Sequence, residues 1–282
     1  MALLSHSLKE FTLPQLPRLV IAPEQITGDQ VTLTPPQWHY LKQVLRLKGG
    51  ESFISLISPG QQWLTQLGPK VHSARFLQAL AAPREWSIPV TLIAAPPKGN
   101  YFDEVVRMAT ELGVAQIIPV QTQRTVLKPS AQRLDRWRRI AQEATEQSHG
   151  QGVPEITEVI PLADVIHPQI SVNTLGQYRY LCSLNPQAPL LWNQLLGIAP
   201  EILSLTASTL DQVRITVMIG PEGGWTPSEE HSCITAGFHA VSLGRRVLRA
   251  ATAPIVALSL VAAVCYEVSA LSVSAYCPAP SA

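Results

Sequence analysis

The chain carries almost no excess charge: 21 Lys and Arg stand against 20 Asp and Glu, a net +1 over 282 residues. No global basicity announces nucleic acid, so a nucleic-acid reading has to rest on local clusters. Cysteine is scarce. Cys182, Cys233, Cys265 and Cys277 have no metal-ligand spacing and form no Cys-x-x-Cys pair. They read as small apolar fillers in a reducing compartment, and no metal site is expected. Met1 to Glu10 lacks a long apolar run and a cleavage pattern, so secretion is not expected. The apolar run Pro254 to Tyr266 is too short for a membrane span, is interrupted by Glu267 and follows Arg249. It reads as a buried helix or a dimer-facing one. No internal repeat or low-complexity tract is evident, and a hydrophobic content of 46% argues against disorder.

The common phosphate loops are missing too. No Gly is followed, four residues on, by Gly-Lys-Ser/Thr, and Gly220-Pro221-Glu222-Gly223-Gly224 does not have dinucleotide-loop spacing. Glu222 would also repel a phosphate, so a neutral or cationic ligand fits better. What is present is a strand-like run, Val213 to Ile219, that ends in those glycines, Trp225-Thr226-Pro227 and a helix start at Ser228-Glu229-Glu230. About twenty residues on, Leu243-Gly244 leads into Arg245, Arg246, Val247, Leu248 and Arg249, and Ala251-Thr252-Ala253-Pro254 opens an apolar helix. Glycine lets a ligand approach the backbone closely. Two such loops so near each other suggest a ligand pocket beside an anion-binding surface, against the blander reading of two tight turns.

The first 85 residues read as a β-rich unit with one helix. Thr34-Pro35-Pro36 starts that helix, which runs through Leu45 and stops at Lys48-Gly49-Gly50. Strands are expected at 52–57, 63–67 and 71–79, and 81–84 reads as a linker. From Ile88 strands and helices alternate. Strands are expected at 90–94, 115–120, 181–184, 214–219 and 240–243. Helices are expected at 102–112 and from Ser130 to about Gln147. This argues a largely parallel α/β sheet with sites at strand C-terminal ends. Residues 160–211 carry no clear pattern. Arg124, Lys128, Arg133, Arg136, Arg138 and Arg139 stand against Asp135 alone, either as a phosphate surface or as a solvated helix face.

The two glycine segments resemble the SPOUT superfamily of knotted methyltransferases, and within it the ribosomal RNA small subunit methyltransferase E family. That family carries Gly-Pro-Glu-Gly-Gly and then Leu-Gly-x-Arg-Ile-Leu-Arg, matched at 219–224 and 243–249. Met108 to Val114, Glu146-Gln147-Ser148 with Val153 to Ile156, and His39 to Leu47 match further motifs in the family's order. Two departures are visible: Ala250-Ala251 stands where the family usually has Thr-Glu, and His149-Gly150-Gln151 where it often has Gly-Arg.

The resemblance implies an S-adenosylmethionine-dependent homodimer, cytoplasmic, free of metal and membrane, that methylates N3 of a uridine in 16S ribosomal RNA or the small subunit. It implies a PUA-like RNA-binding β-barrel over 1–85, with 1–17 as an extension, and a trefoil-knotted, mostly parallel sheet flanked by helices over 86–282. The knot would bring both glycine loops and the turn after Leu184 together. Cofactor contacts are then expected from Leu184, Ile219, Gly220, Pro221, Glu222, Gly223, Gly224, Leu243, Gly244, Val247, Leu248 and Ala253. Leu243 and Leu248 would sandwich the adenine; Glu222 would offset the sulfonium or bond neighbouring amides. Arg246 and Arg249 are the candidate catalytic groups, stabilising an anionic uracil oxygen or binding phosphate. Arg18, Arg46, Arg124, Arg136 and Arg139 are candidate RNA contacts. No general base stands out; His149 is the nearest titratable residue by motif. Two other readings stay open: another RNA target, such as a transfer-RNA ribose 2'-oxygen, and a cofactor-free RNA-binding module. The intact Gly-Pro-Glu-Gly-Gly loop speaks against the module.

Overall fold

The computed structural model describes residues 16–57, 60–80, 88–127, 129–166, 176–205 and 207–276. The segment 81–84, Lys128, Cys277 and most of the 1–17 extension lie outside them. Two compact units divide the chain at Pro83 and Arg84.

The smaller unit is a separate, curled sheet of six strands: β1 (Arg18–Val20), β2 (Ile26–Thr27), β3 (Gln30–Thr32), β4 (Ser52–Ile57), β5 (Gln61–Leu67) and β6 (Ser73–Leu80). Their spatial order is β1-β4-β5-β6-β3-β2, with β1 parallel to β4 and the other pairs antiparallel. Leu19, Ile21, Val31, Leu33, Leu41 and Phe53 form its core. Helix α1 (Pro35–His39) begins at a reciprocal cap: Gln37 N–H donates to Thr34 Oγ1 at 3.4 Å, and Thr34 N–H donates to Gln37 Oε1 at 2.8 Å. The helix widens into a π turn over Tyr40–Val44 and stops at Arg46, whose φ is 57°. The stop therefore comes from a left-handed arginine, ahead of Gly49 and Gly50. β6 begins at Ser73, not Val71, because His72 turns the chain with a φ of 62°.

The larger unit is α/β. Its strands are β7 (Val90–Ala94), β8 (Gln116–Gln121), β9 (Glu155–Ile156), β10 (Ile160–Pro161), β11 (Gln177–Cys182), β12 (Arg214–Ile219) and β13 (His239–Val241). All pair in parallel, in the order β10-β8-β7-β12-β11-β13, with β9 beside β8. The helices are α2 (Tyr101–Glu111), α3 (Ala131–Ser148), α4 (Leu162–Val165), α5 (Leu191–Leu203), α6 (Ala207–Leu210), α7 (Pro227–Thr235) and α8 (Ala253–Tyr276). Strand alternation sends Val90, Leu92, Val217 and Ile219 into a core with α2, α3, α5 and α8. Ile93 and Met218 point the other way, towards α4 and α7. Burial on both faces explains why these strands read as continuous apolar runs rather than as alternation.

In this unit the bounds of β11 and β13 depart furthest from those expected. β11 starts at Gln177 rather than Leu181, and its polar first half includes Arg179, only 8% exposed. β13 ends at Val241, because Ser242 leaves the sheet to bridge Leu190: Ser242 N–H donates to Pro189 O at 2.8 Å, and Leu191 N–H to Ser242 O at 2.9 Å. No described helix is long and apolar enough to cross a membrane.

Candidate active site

β12, β11 and β13 are neighbours and run in the same direction, so the segments that follow them emerge at one end of the sheet. Residues 183–190, 220–226 and 242–252 are those segments. Between them lies an open cleft of about 1030 Å³. Leu184, Ile219, Gly220, Pro221, Glu222, Gly223, Gly224, Leu243, Gly244, Val247, Leu248 and Ala253 all line it. So do Arg124, Arg245 and Arg246, whereas Arg249 stays outside the wall, exposed in the same loop.

The glycines serve different ends. Gly244 has a φ of 124°, and a Cβ built there would meet nothing within 4 Å, so this backbone faces open space. Gly220 is spaced for a neighbour: a Cβ would sit 3.0 Å from Cε2 of Trp225. That indole crosses to the end of the adjacent strand β11, its Nε1–H donating to Cys182 O at 3.0 Å.

The Gly-Pro-Glu-Gly-Gly loop is latched from two sides. The Glu222 Oε1 atom accepts Lys98 N–H at 2.9 Å, from the loop after β7, so this carboxylate is committed to a neighbouring amide. Arg124, in the loop after β8, donates to Gly223 O at 2.6 Å and to Trp225 O at 3.3 Å. The buried Glu229 joins both loops: Oε1 accepts Gln123 N–H at 2.7 Å, and Oε2 accepts Thr226 N–H at 2.9 Å. Thr226 also caps α7, which therefore begins at Pro227, one residue before Ser228.

Sequence reasoning gave no site role to Ser183, Asn185, Trp225 or Glu230, all of which line the cleft. The Ser183 hydroxyl donates to Glu230 Oε1 at 2.6 Å and accepts Asn185 N–H at 3.0 Å. Asn185 Oδ1 in turn accepts Gln187 N–H at 3.0 Å. The Asn-Pro dipeptide was the available signal, since it marks turns. Burial pushes the Cys182 thiol up to about 12, so the sulfur in this wall is a neutral thiol and a poor nucleophile.

The basic run after β8 is mostly engaged within the protein. Arg133 donates to Gly99 O and Asn100 Oδ1. Arg136 pairs with the buried Asp103 at 2.8 Å while its own side chain stays 60% exposed. Arg138 pairs with Glu158 and Asp135, which hold its guanidinium above the usual range. Arg139 is exposed and, among the described residues, joins no ion pair. In the smaller unit Arg18 is half-buried in β1 and Arg46 is exposed. His149 ends α3 in a left-handed conformation, φ 64°. Ala250 is buried and Ala251 packs on the main core.

Residues 84–262 match the family model of an RNA methyltransferase domain. The chain is 42% identical over 243 residues to ribosomal RNA small subunit methyltransferase E of Synechocystis, covering 86% of this chain and 76% of that protein. It is 26% identical to the Bacillus subtilis protein of the same name, over 84% of this chain and 88% of that one. It superposes with a TM-score of 0.71, at 29% identity, on a crystal structure of ribosomal RNA small subunit methyltransferase E from Neisseria gonorrhoeae bound to S-adenosyl methionine, covering 86% of this chain and 95% of that one. The chain thus belongs to the RNA methyltransferase family that includes the ribosomal RNA small subunit methyltransferase E proteins.

Proposed function

We propose that this protein uses S-adenosylmethionine to methylate 16S ribosomal RNA at N3 of one uridine, acting in the cytoplasm as a homodimer. Residues 86–282 are read as a knotted methyltransferase domain and 1–85 as a PUA-like unit that holds RNA. The observation that carries this reading is the cleft where the three strand-end loops meet.

The residues present fit the cofactor. Leu184, Ile219, Leu243 and Leu248 offer apolar wall to an adenine, and the backbone at Gly244 is open for close approach. Arg245 supplies positive charge for a carboxylate, and Glu230 supplies negative charge. When bound, the cofactor provides an electrophilic methyl group; the protein's part is mainly to align acceptor and donor. As the N3 proton passes to solvent water, charge builds on O2 or O4. A guanidinium from Arg246 or Arg249 stabilises it with a planar fork of donors. Arg18, Arg46, Arg124, Arg136 and Arg139 are proposed to contact RNA. Arg124 would do so while holding the glycine loop.

On α5, Trp192, Leu196 and Leu203 are 40%, 47% and 41% exposed, and this apolar strip supports the dimer reading. Leu196→Glu is expected to raise the fraction of monomer in sedimentation equilibrium; an unchanged mass would place the interface elsewhere. The decisive experiment for function is nucleoside mass mapping of small-subunit RNA from a deletion strain, before and after treatment with the purified protein. Restoration of a single N3-methyluridine is expected. A missing mark in transfer RNA would favour a ribose methyltransferase. Failure to bind S-adenosylmethionine would leave only an RNA-binding module.

A further inference from the structure

The cleft wall presents a pair of carboxylates, Glu222 and Glu230. Glu222 is exposed and its Oε1 is committed to the Lys98 amide. Glu230 is different. It projects from α7 and is partly buried, and its Oε1 is fixed by the hydroxyl of the buried Ser183, itself oriented by Asn185 N–H. The carboxylate is thus pre-positioned on the wall by a short chain of hydrogen bonds. Positive charge in the cleft comes from elsewhere: Arg124 is turned to the carbonyls of Gly223 and Trp225, and Arg245 and Arg246 lie in the loop after β13.

We propose that Glu230, held by Ser183, is the specificity residue by which this cleft distinguishes the cationic methyl donor from its neutral product. The inference rests on the methyltransferase reading above. S-adenosylmethionine and S-adenosylhomocysteine share adenine, ribose, α-ammonium and carboxylate. They differ by one methyl group and by the positive charge on sulfur. Backbone contacts and apolar walls treat the two nearly alike. A fixed carboxylate does not, because its Coulomb attraction acts on the sulfonium and vanishes when the methyl leaves. The wall is partly desolvated, which strengthens that attraction relative to bulk water. Product would accordingly be released more readily than donor is lost. Ser183 is a positioning residue in this scheme: its hydroxyl orders Glu230, and its effect on the donor runs through that carboxylate.

Calorimetric titration with S-adenosylmethionine and S-adenosylhomocysteine, on wild type, Glu230→Gln, Ser183→Ala and Glu222→Gln, tests this. Glu230→Gln should weaken S-adenosylmethionine about tenfold, as loss of one nearby charge at a partly buried wall predicts, while changing S-adenosylhomocysteine less than about twofold. Ser183→Ala should do the same to a smaller degree. Glu222→Gln should weaken both ligands alike, because the Lys98 latch shapes the loop for either. For Glu230→Gln and Ser183→Ala the S-adenosylhomocysteine titration doubles as a check that the variant is folded. Equal losses for the two ligands in Glu230→Gln, or no loss for either, would overturn the proposal, as would a preference abolished by Glu222→Gln instead. Wild type that binds both without discrimination removes this inference alone. Wild type that binds neither removes the methyltransferase reading with it.

Discussion

Gly220 and Gly244 stand in the same cleft for different reasons, and substitution should separate them. At Gly220 a methyl group must displace the Trp225 ring, which lies 3.0 Å from where a Cβ would sit and donates to Cys182 O. Gly220→Ala is expected to cost about 1–3 kcal/mol by overpacking. Part of that should return in the double variant with Trp225→Leu, since residues in contact couple. Gly244→Ala meets open space but must hold a φ of 124°, outside the regions alanine favours. It should lower cofactor affinity by reshaping the loop, with no rescue from Trp225→Leu. Thermal melts read beside cofactor titrations distinguish the two, and equal rescue at both positions would refute the distinction. The arginines make a second test at this scale. Arg246→Ala and Arg249→Ala should slow single-turnover methylation at saturating RNA by about thirty- to a thousandfold, the cost of a charge-assisted contact made mainly in the transition state. Lysine at either position should recover little. If only the RNA dissociation constant rises, both side chains are phosphate clamps.

Among the elements, the loop after β12 is shaped from outside itself. Glu229 accepts N–H donors from Thr226 and Gln123, tying the start of α7 to the loop after β8. Glu229→Ala leaves those amides without this acceptor and removes half of the capping box. A loss of about 2–4 kcal/mol in denaturant unfolding is expected, with weaker cofactor binding, since Arg124 would lose its fixed distance to Gly223 O. Unchanged stability would mean the two loops are held by Arg124 alone. The boundaries of β7 and β12 were legible from sequence because both are apolar runs that end at glycine, proline or small residues. The glycine loops were legible for the same reason. β11 was not: Gln177, Tyr178 and Arg179 look like loop, and their place in the sheet comes from pairing with Arg214, Ile215 and Thr216, nearly forty residues away. With the start of that strand hidden, the bond from Ser183 to Glu230 was hidden too, although the resemblance pointed to the turn after Leu184. Latches of this kind pair residues distant in sequence, such as Lys98 with Glu222, and leave no local pattern to read.

For the molecule as a whole, a net charge of +1 means that RNA affinity has to come from the few cations not already paired. Arg138 answers to Glu158 and Asp135. Arg46 in the smaller unit and Arg139 in the larger are exposed and, among the described residues, join no ion pair. Each phosphate contact releases condensed counterions, so removing one should reduce the slope of log affinity against log salt by about 0.7–0.9. Arg46→Ala and Arg139→Ala are each expected to show that change, and Arg138→Ala a smaller one, because its charge is already offset. The double variant tests the division of labour between the units. If both grip the same RNA, the two losses in log affinity add, as expected for independent sites. Filter-binding isotherms from low to high salt, on wild type, the single variants and the double, give the slopes. A silent Arg46→Ala beside a strong Arg139→Ala would mean that the smaller unit does not hold RNA through this face. Its exposed arginine after the π turn would then have no part in substrate recognition.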